Sequence, residues 1–165
     1  MTEPVLRRAG RGDAAFLSNL AMEAFATYGD YRGLVEAWAA DPNVEVTLAE
    51  HDGAPAGAAF LAFLRPGEAP GTKVADLLAL AVAGPLRGRG IGRALVAHVM
   101  ARARDVARRH DISELRLAVA ETNAAARSLF ESAGFAYQDA EGSYARGQKA
   151  LHMSLPLRGR RPGAG

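Results

Sequence analysis

The chain contains no cysteine. Disulfides, thiolate-bound metals and a cysteine nucleophile are therefore excluded. Lysine occurs only at Lys73 and Lys149, so the 20 basic residues are almost all arginine, a bias that speaks of base composition more than of function. No uncharged apolar run approaches the ~20 residues that a membrane-spanning helix requires. The N-terminus carries Glu3, Arg7 and Arg8 without the apolar stretch of a secretory leader, which predicts a cytoplasmic protein with no membrane association. The four histidines, His51, His98, His110 and His152, lack metal-ligand spacing, and no acidic cluster supplements them, so no metal is expected. Internal repeats and long Pro/Ser linkers are missing too. A chain of 165 residues, 49% hydrophobic, is then expected to form one domain over 1–157, followed by a disordered Arg/Gly-rich tail at 158–165.

The formal charge of +2 and pI near 9.3 suit an anionic small ligand as readily as nucleic acid. Nucleic acid is disfavoured as a partner, because no basic surface interleaved with aromatics and no known binding motif is present.

Hydrophobic periodicity gives an alternating series of elements. Val5 to Arg8 reads as a strand, Asp13 as the N-cap of a helix reaching residue 26, and 31–40 as a second helix closed by Asp41, Pro42 and Asn43. Two apolar runs, 44–50 and 56–64, flank a hairpin turn, and a loop at 66–71 precedes a strand at 74–82. From Ile91 to about 109, Ile91, Leu95, Val99 and Val106 share one helical face. A strand at 115–119, a short helix at 123–135 ended by glycine, and a last hairpin at 141–148 whose closing strand lies at 151–155 complete the order β-α-α-β-β-β-α-β-α-β-β, an α/β or α+β class with a mixed sheet.

The most informative stretch joins the strand ending at Val82 to a glycine-rich turn: Gly84, Pro85, then Arg87, Gly88, Arg89, Gly90, Ile91, Gly92 and Arg93, where a helix opens. Glycines let successive backbone N–H groups turn toward a ligand, and a helix N-terminus adds unpaired amides and partial positive charge. A phosphate or pyrophosphate is the favoured ligand, and the three arginines give the local field the matching sign. Two common phosphate loops fail on spacing. The nucleotide-hydrolase loop needs Lys then Ser or Thr after its last glycine, whereas Gly92 is followed by Arg93 and Ala94. The dinucleotide fingerprint needs a third glycine where Arg93 or Leu95 stands.

The pattern left over, Arg87-x-x-Gly90-x-Gly92, resembles the pyrophosphate-binding loop of the GNAT acetyltransferase superfamily, whose pattern is Gln or Arg, two residues, Gly, one residue, then Gly or Ala. A second block is similar to that family's next segment: Asn123, the alanines 124–126, Leu129-Phe130 and Gly134-Phe135. Weaker likenesses are the opening Leu6-Arg7-x-Ala9 with Asp13, and the closing strand. Together they span nearly the whole chain in order. The resemblance implies a mixed central sheet of about six to seven strands flanked by helices, acetyl-CoA as acetyl donor and a primary amine, small molecule or peptide, as acceptor. It also allows a homodimer, which no residue here establishes.

Transfer to an amine sets chemical requirements. An ammonium cannot attack a thioester, so the amine must lose a proton; the oxyanion needs donors, and the departing thiolate benefits from a proton or a positive dipole. No covalent enzyme intermediate is required. The resemblance places Leu80, Ala81 and Val82 beside the pantetheine arm, with the amide of Leu80 or Ala81 as oxyanion donor. It places Arg87, Gly88, Arg89, Gly90, Ile91, Gly92 and Arg93 around the pyrophosphate, and Asn123, Arg127 and Phe130 beside the cofactor. Asn123 also reads as an N-cap, and Arg127 as an exposed helix arginine.

Asp76 interrupts the apolar run 74–82 and stands where some family members carry a Glu that acts as general base, often through water. The side chain is one methylene shorter, which favours a water relay. A solvent-facing carboxylate or salt-bridge partner is the other reading of Asp76. Phe130 departs from the family, many of whose members have Tyr there as general acid. The hydroxyls that could substitute are Ser128, Tyr28, Tyr31, Tyr137 and Tyr144; alternatively the chain is a catalytically silent acyl-CoA-binding regulatory module. The acceptor pocket is expected around Tyr28, Tyr31, Trp38 and Tyr144, with Glu23, Asp30, Glu36 and Glu141 as acids that could hold an ammonium.

Overall fold

Turn chemistry and hydrophobic spacing account for most element boundaries in the computed structural model, which describes residues 3–64 and 73–157. The loop expected at 66–71 and the tail at 158–165 lie outside those residues. The elements are β1 (Val5–Arg8), α1 (Ala14–Phe25), α2 (Arg32–Ala40), β2 (Val44–His51), β3 (Ala54–Leu64), β4 (Lys73–Val82), α3 (Ile91–Ala107), β5 (Ile112–Ala120), α4 (Ala124–Ala133), β6 (Ala136–Ser143) and β7 (Lys149–Pro156). Short 3-10 turns at Arg11–Asp13 and Gly84–Leu86 precede α1 and the glycine loop.

The β2–β3 hairpin turns on Asp52 and Gly53, both at positive φ (50° and 80°), the pair of left-handed residues that matches the twist of the flanking strands. Asp13 occupies the N-cap position of α1 but does not cap it. Its carboxylate instead accepts the Gly10 N–H at 2.7 Å and hydrogen bonds from both terminal nitrogens of the Arg7 guanidinium at 2.8 Å, because an arginine on β1 competes for it more strongly than a helix amide. Asn123 does cap, accepting the Ala126 N–H at 3.2 Å, and α4 ends at Gly134 with φ 104°. The inner stripe of α3 is Ile91, Leu95, Val96, Val99, Ala103 and Ala107. Val106, expected on that face, is only partly buried, and Ala103 and Ala107 take the buried positions at that end of the helix.

Seven strands form one sheet in the order β1-β2-β3-β4-β5-β7-β6, antiparallel everywhere except between β4 and β5. One face carries α3 and α4 over Leu77, Leu115, Leu117, Val119 and Met153; the other carries α1 and α2 over Ala58, Phe60, Ala79 and Ala81. β4 changes face partway along. Leu61 pairs with Leu77 and Phe60 with Ala79, so Leu78 is an extra residue, a β-bulge that inverts the side-chain alternation beyond it. Ala75 and Leu77 therefore face α3, whereas Ala79 and Ala81 face α1 and α2. Among the described residues no helix is long and apolar enough to cross a membrane.

Candidate active site

The bulge at Leu78 coincides with a break in the sheet. β4 and β5 pair in parallel from Lys73↔Ile112 to Leu77↔Leu117 and then stop, although β4 runs on to Val82 and β5 to Ala120. A bulge bends its strand and raises local twist, so β4 follows β3 while β5 follows β7. Between the parting strands lies a cleft of about 310 Å³. Its walls include Leu80 from β4, Ala118 and Ala120 from β5, and Asn123, Leu129 and Phe130 from the turn and helix beyond.

The parting leaves main-chain groups of β4 without a strand partner, and two contacts fix which ones. The Ala83 N–H donates to the Ala56 carbonyl on the β3 side at 2.8 Å, while the Val82 carbonyl, on the open side, accepts from Arg87 Nε at 3.2 Å. Counting back in twos, the main-chain groups of Leu80 face the gap and those of Ala81 face β3. Of the two amides singled out by sequence, geometry therefore brings Leu80's to the cleft. Ala81 is buried on the α1/α2 side.

At the end of β4 the chain enters the glycine loop. Gly88 and Gly90 have φ of 79° and 82°, the left-handed conformation that glycine adopts without strain. Gly90 is the N-cap of α3, and the first paired amide is that of Ala94, to the Gly90 carbonyl at 3.0 Å. The N–H groups of Ile91, Gly92 and Arg93 thus lack carbonyl partners at the positive end of a 17-residue helix, with Arg87, Arg89 and Arg93 exposed around them. A side chain at Gly92 would meet Leu129 Cδ2 at 3.4 Å, so this glycine lies against α4. The Gly84 N–H is held by Glu23 Oε1 at 2.7 Å, tying α1 to the loop's entry.

Asp76 lies at the foot of the cleft, directly opposite Arg116 across the parallel pair, with Oδ2 3.6 Å from Arg116 Nε. Burial pushes its carboxyl above the ordinary range, and the nearby Arg116 and His152 partly oppose that rise. Of the sequence readings of Asp76, this contact is the salt-bridge partner. Neither Arg116 nor His152 was singled out as a site residue. Arg116 carried a signal: it is the one charge inside the apolar run 115–119, as Asp76 is inside 74–82. His152 reaches the same face because it pairs with Ala118, a register invisible in sequence.

Asn123 lines the cleft as well as capping α4. Arg127 is engaged elsewhere, donating to Tyr137 Oη and to the Glu121 carbonyl, both at 2.9 Å. Phe130 is buried against Phe135 with ring centroids 5.8 Å apart, and it lines the cleft. Of the five substitute hydroxyls, Tyr28, Tyr31 and Tyr144 line the cleft. Tyr137 does not; it holds Arg127 and Glu131 on the surface, and Ser128 is exposed outside the cleft.

The far end of the cleft is aromatic. Tyr28 and Tyr144 stack at 4.9 Å, joining the α1–α2 connection to the segment after β6, and Phe25, Tyr31, Trp38 and Phe60 follow in a chain of ring contacts from 5.0 to 6.2 Å. Burial, then the neighbouring Tyr31 and Tyr28, pushes the Tyr144 phenol up to about 12. Phe25 and Leu34 belong to this wall and were not anticipated.

Residues 14–135 match the family described as the acetyltransferase (GNAT) family. The fold is similar to that of the ribosomal-protein-S18-alanine N-acetyltransferase of Escherichia coli, with a TM-score of 0.77 at 19% identity over 99% of both chains. Arabidopsis thaliana NAA60, solved with a bisubstrate analogue, superposes with a TM-score of 0.79 at 16% identity over 93% of this chain and 98% of its own. The yncA protein of Salmonella typhimurium, solved with its cofactor acetyl-CoA, gives 0.75 at 20% identity over 99% and 100%. At these identities the likeness is one of fold. No curated protein sequence matches the chain.

Proposed function

The chain belongs to the GNAT family of acetyltransferases, and from that premise we propose that it transfers an acetyl group from acetyl-CoA to a primary amine by direct attack within a ternary complex. The observation that supports this reading best is the parting of β4 from β5 directly before the unpaired amides that open α3. The first suits an extended amide-bearing arm laid beside a strand, the second a pyrophosphate. When bound, acetyl-CoA supplies an electrophilic thioester carbonyl and a thiolate leaving group.

The protein's own groups divide the remaining work. The amides of Ile91, Gly92 and Arg93 bind the pyrophosphate, and Arg87, Arg89 and Arg93 attract it. Main-chain groups of Leu80 and Val82 hold the arm, and the Leu80 N–H meets the oxygen on which negative charge develops. Asp76 takes the amine's proton through a water, and Arg116 fixes its carboxylate. With Phe130 lacking a hydroxyl, the proton for the thiolate comes from a tyrosine of the cleft, a role we assign to Tyr144, packed against Tyr28 on the cleft wall.

Calorimetric titration with acetyl-CoA, repeated on Gly90→Glu, tests the cradle, and thiol release with an amine panel tests transfer. Micromolar binding lost in the variant, with amine-dependent thiol release by the wild type, is expected. Binding without release from any amine identifies instead a silent acyl-CoA-binding module.

A further inference from the structure

We propose that the acceptor is a primary amine with a single positive charge and an apolar or aromatic body, and that polyamines and aminoglycosides are poor acceptors; this deepens the transferase reading and rests on it. The inference starts from where the carboxylates go. Glu23 spends its carboxylate on the Gly84 N–H at 2.7 Å, and Asp30 accepts the Arg32 N–H at 3.1 Å. Neither these two nor Glu36 lines the cleft. The Glu141 side chain lies outside the described ones. Among the described residues Asp76 is the one carboxylate on the cleft wall, and Arg116 already lies 3.6 Å from it.

The rest of the acceptor end is Phe25, Tyr28, Tyr31, Leu34, Trp38 and Tyr144. A polycation entering there loses water around each of its charges and meets, among the described residues, one carboxylate that is already partnered, so these residues leave every charge beyond the first uncompensated. A monoamine carrying a ring or branched alkyl group exchanges water for aromatic faces and has no second charge to desolvate. Its own charge is an advantage to lose. Apolar surroundings favour the neutral amine over the ammonium, and only the neutral amine attacks. Two sources share this chemistry: a free arylalkylamine, and the N-terminus of a peptide whose first side chain is apolar.

The test uses the full chain with saturating acetyl-CoA, and measures thiol release with 2-phenylethylamine, a Phe-Ala-Ala-Gly amide peptide, spermidine and kanamycin. We expect kcat/KM for 2-phenylethylamine or the peptide to exceed that for spermidine and kanamycin by at least ~10-fold. The faster of the first two identifies the source. Trp38→Ala should raise the acceptor KM ~10-fold or more while leaving calorimetric acetyl-CoA affinity, which also reports folding, unchanged. Leu34→Asp, at a position 45% exposed and therefore tolerant of charge, adds an unpartnered carboxylate to the wall and should raise spermidine relative to 2-phenylethylamine. Spermidine or kanamycin as the best wild-type acceptor overturns the inference and leaves the transferase reading standing. Acetyl-CoA binding with no thiol release to any acceptor overturns both.

Discussion

Asp76 and Arg116 face each other one register before β4 and β5 part, their charged groups 3.6 Å apart at the foot of the cleft. A carboxylate placed there is opposed by burial and supported by one arginine, with His152 beside it. A general base works only when ionised, so the rate should fall with pH as Asp76 takes up its proton, at a pH above that of an ordinary aspartate. Arg116→Gln removes the support and should move this acid limb of kcat/KM to higher pH; Asp76→Asn should abolish the limb and lower kcat by ~10²-fold or more. The same shift has the opposite meaning for stability. A carboxyl whose folded pKa is raised contributes most below its unfolded pKa, and that contribution is lost as pH rises through the folded one. Asp76→Asn should therefore melt higher than wild type at pH 7 while losing activity, a pairing that scanning calorimetry and the rate assay read together.

Asp13 predicts the reverse pH dependence. Hydrogen bonds from Arg7, then from the Gly10 N–H, hold its carboxyl down at about 2. A carboxyl with a depressed folded pKa stabilises above its unfolded value near 3.9 and loses that stabilisation as pH falls toward 2. Asp13→Asn should lower the urea midpoint at pH 7, and the gap to wild type should narrow progressively below pH ~4. Urea unfolding at a series of pH values checks it; a constant gap assigns the loss to packing.

The glycine loop separates conformation from contact. Gly90 has φ 82° and open space where a Cβ would point, so its glycine is required by backbone angle rather than by crowding. Gly92 is the converse: ordinary backbone angles, with Leu129 Cδ2 at 3.4 Å and Val82 Cγ2 at 3.8 Å, both within normal contact range. Gly92→Ala should keep acetyl-CoA affinity within ~3-fold, whereas Gly90→Glu should lose it by ~100-fold or more, through bulk and negative charge at the helix N-terminus. Calorimetry with acetyl-CoA measures both.

Local features were legible in the sequence for physical reasons. The strand, glycine loop and helix read correctly because glycine positions, helix spacing and the apolar run all act within about twenty residues of one another. Asn123 and Gly134 bracketed α4 because caps are local chemistry. The features that escaped depended on register. The extra residue Leu78, at which β4 and β5 separate, is left without a partner between the pairs Phe60↔Ala79 and Leu61↔Leu77, a register that the unbroken apolar run of β4 does not reveal. His152 meets Asp76's surroundings only because β7 lies beside β5, and Tyr28 meets Tyr144 only because the fold brings the α1–α2 connection to the segment after β6. Asp13 misled for the same reason: its competitor, Arg7, sits on a different element.

Phe130 and Tyr144 form the last pair to be tested together. Phe130 is buried against Phe135 and lines the cleft, where it offers no proton. Tyr144 lines the same cleft, stacked on Tyr28, with its phenol pushed up to about 12. If it supplies the thiolate's proton, its protonated form persists well past neutrality, so the rate should show no basic limb from this group below pH 10, because deprotonation begins only as pH nears the raised value. Tyr144→Phe should lower kcat ~10- to 100-fold with acetyl-CoA affinity unchanged. Phe130→Tyr adds a phenol hydroxyl to a side chain that lines the cleft, at the position where the family resemblance implies a tyrosine. In the Tyr144→Phe background it should return most of the lost kcat. A double variant no faster than Tyr144→Phe alone, with acetyl-CoA affinity intact, would mean that the thiolate leaves without a protein acid, and that Tyr144 serves the acceptor wall alone.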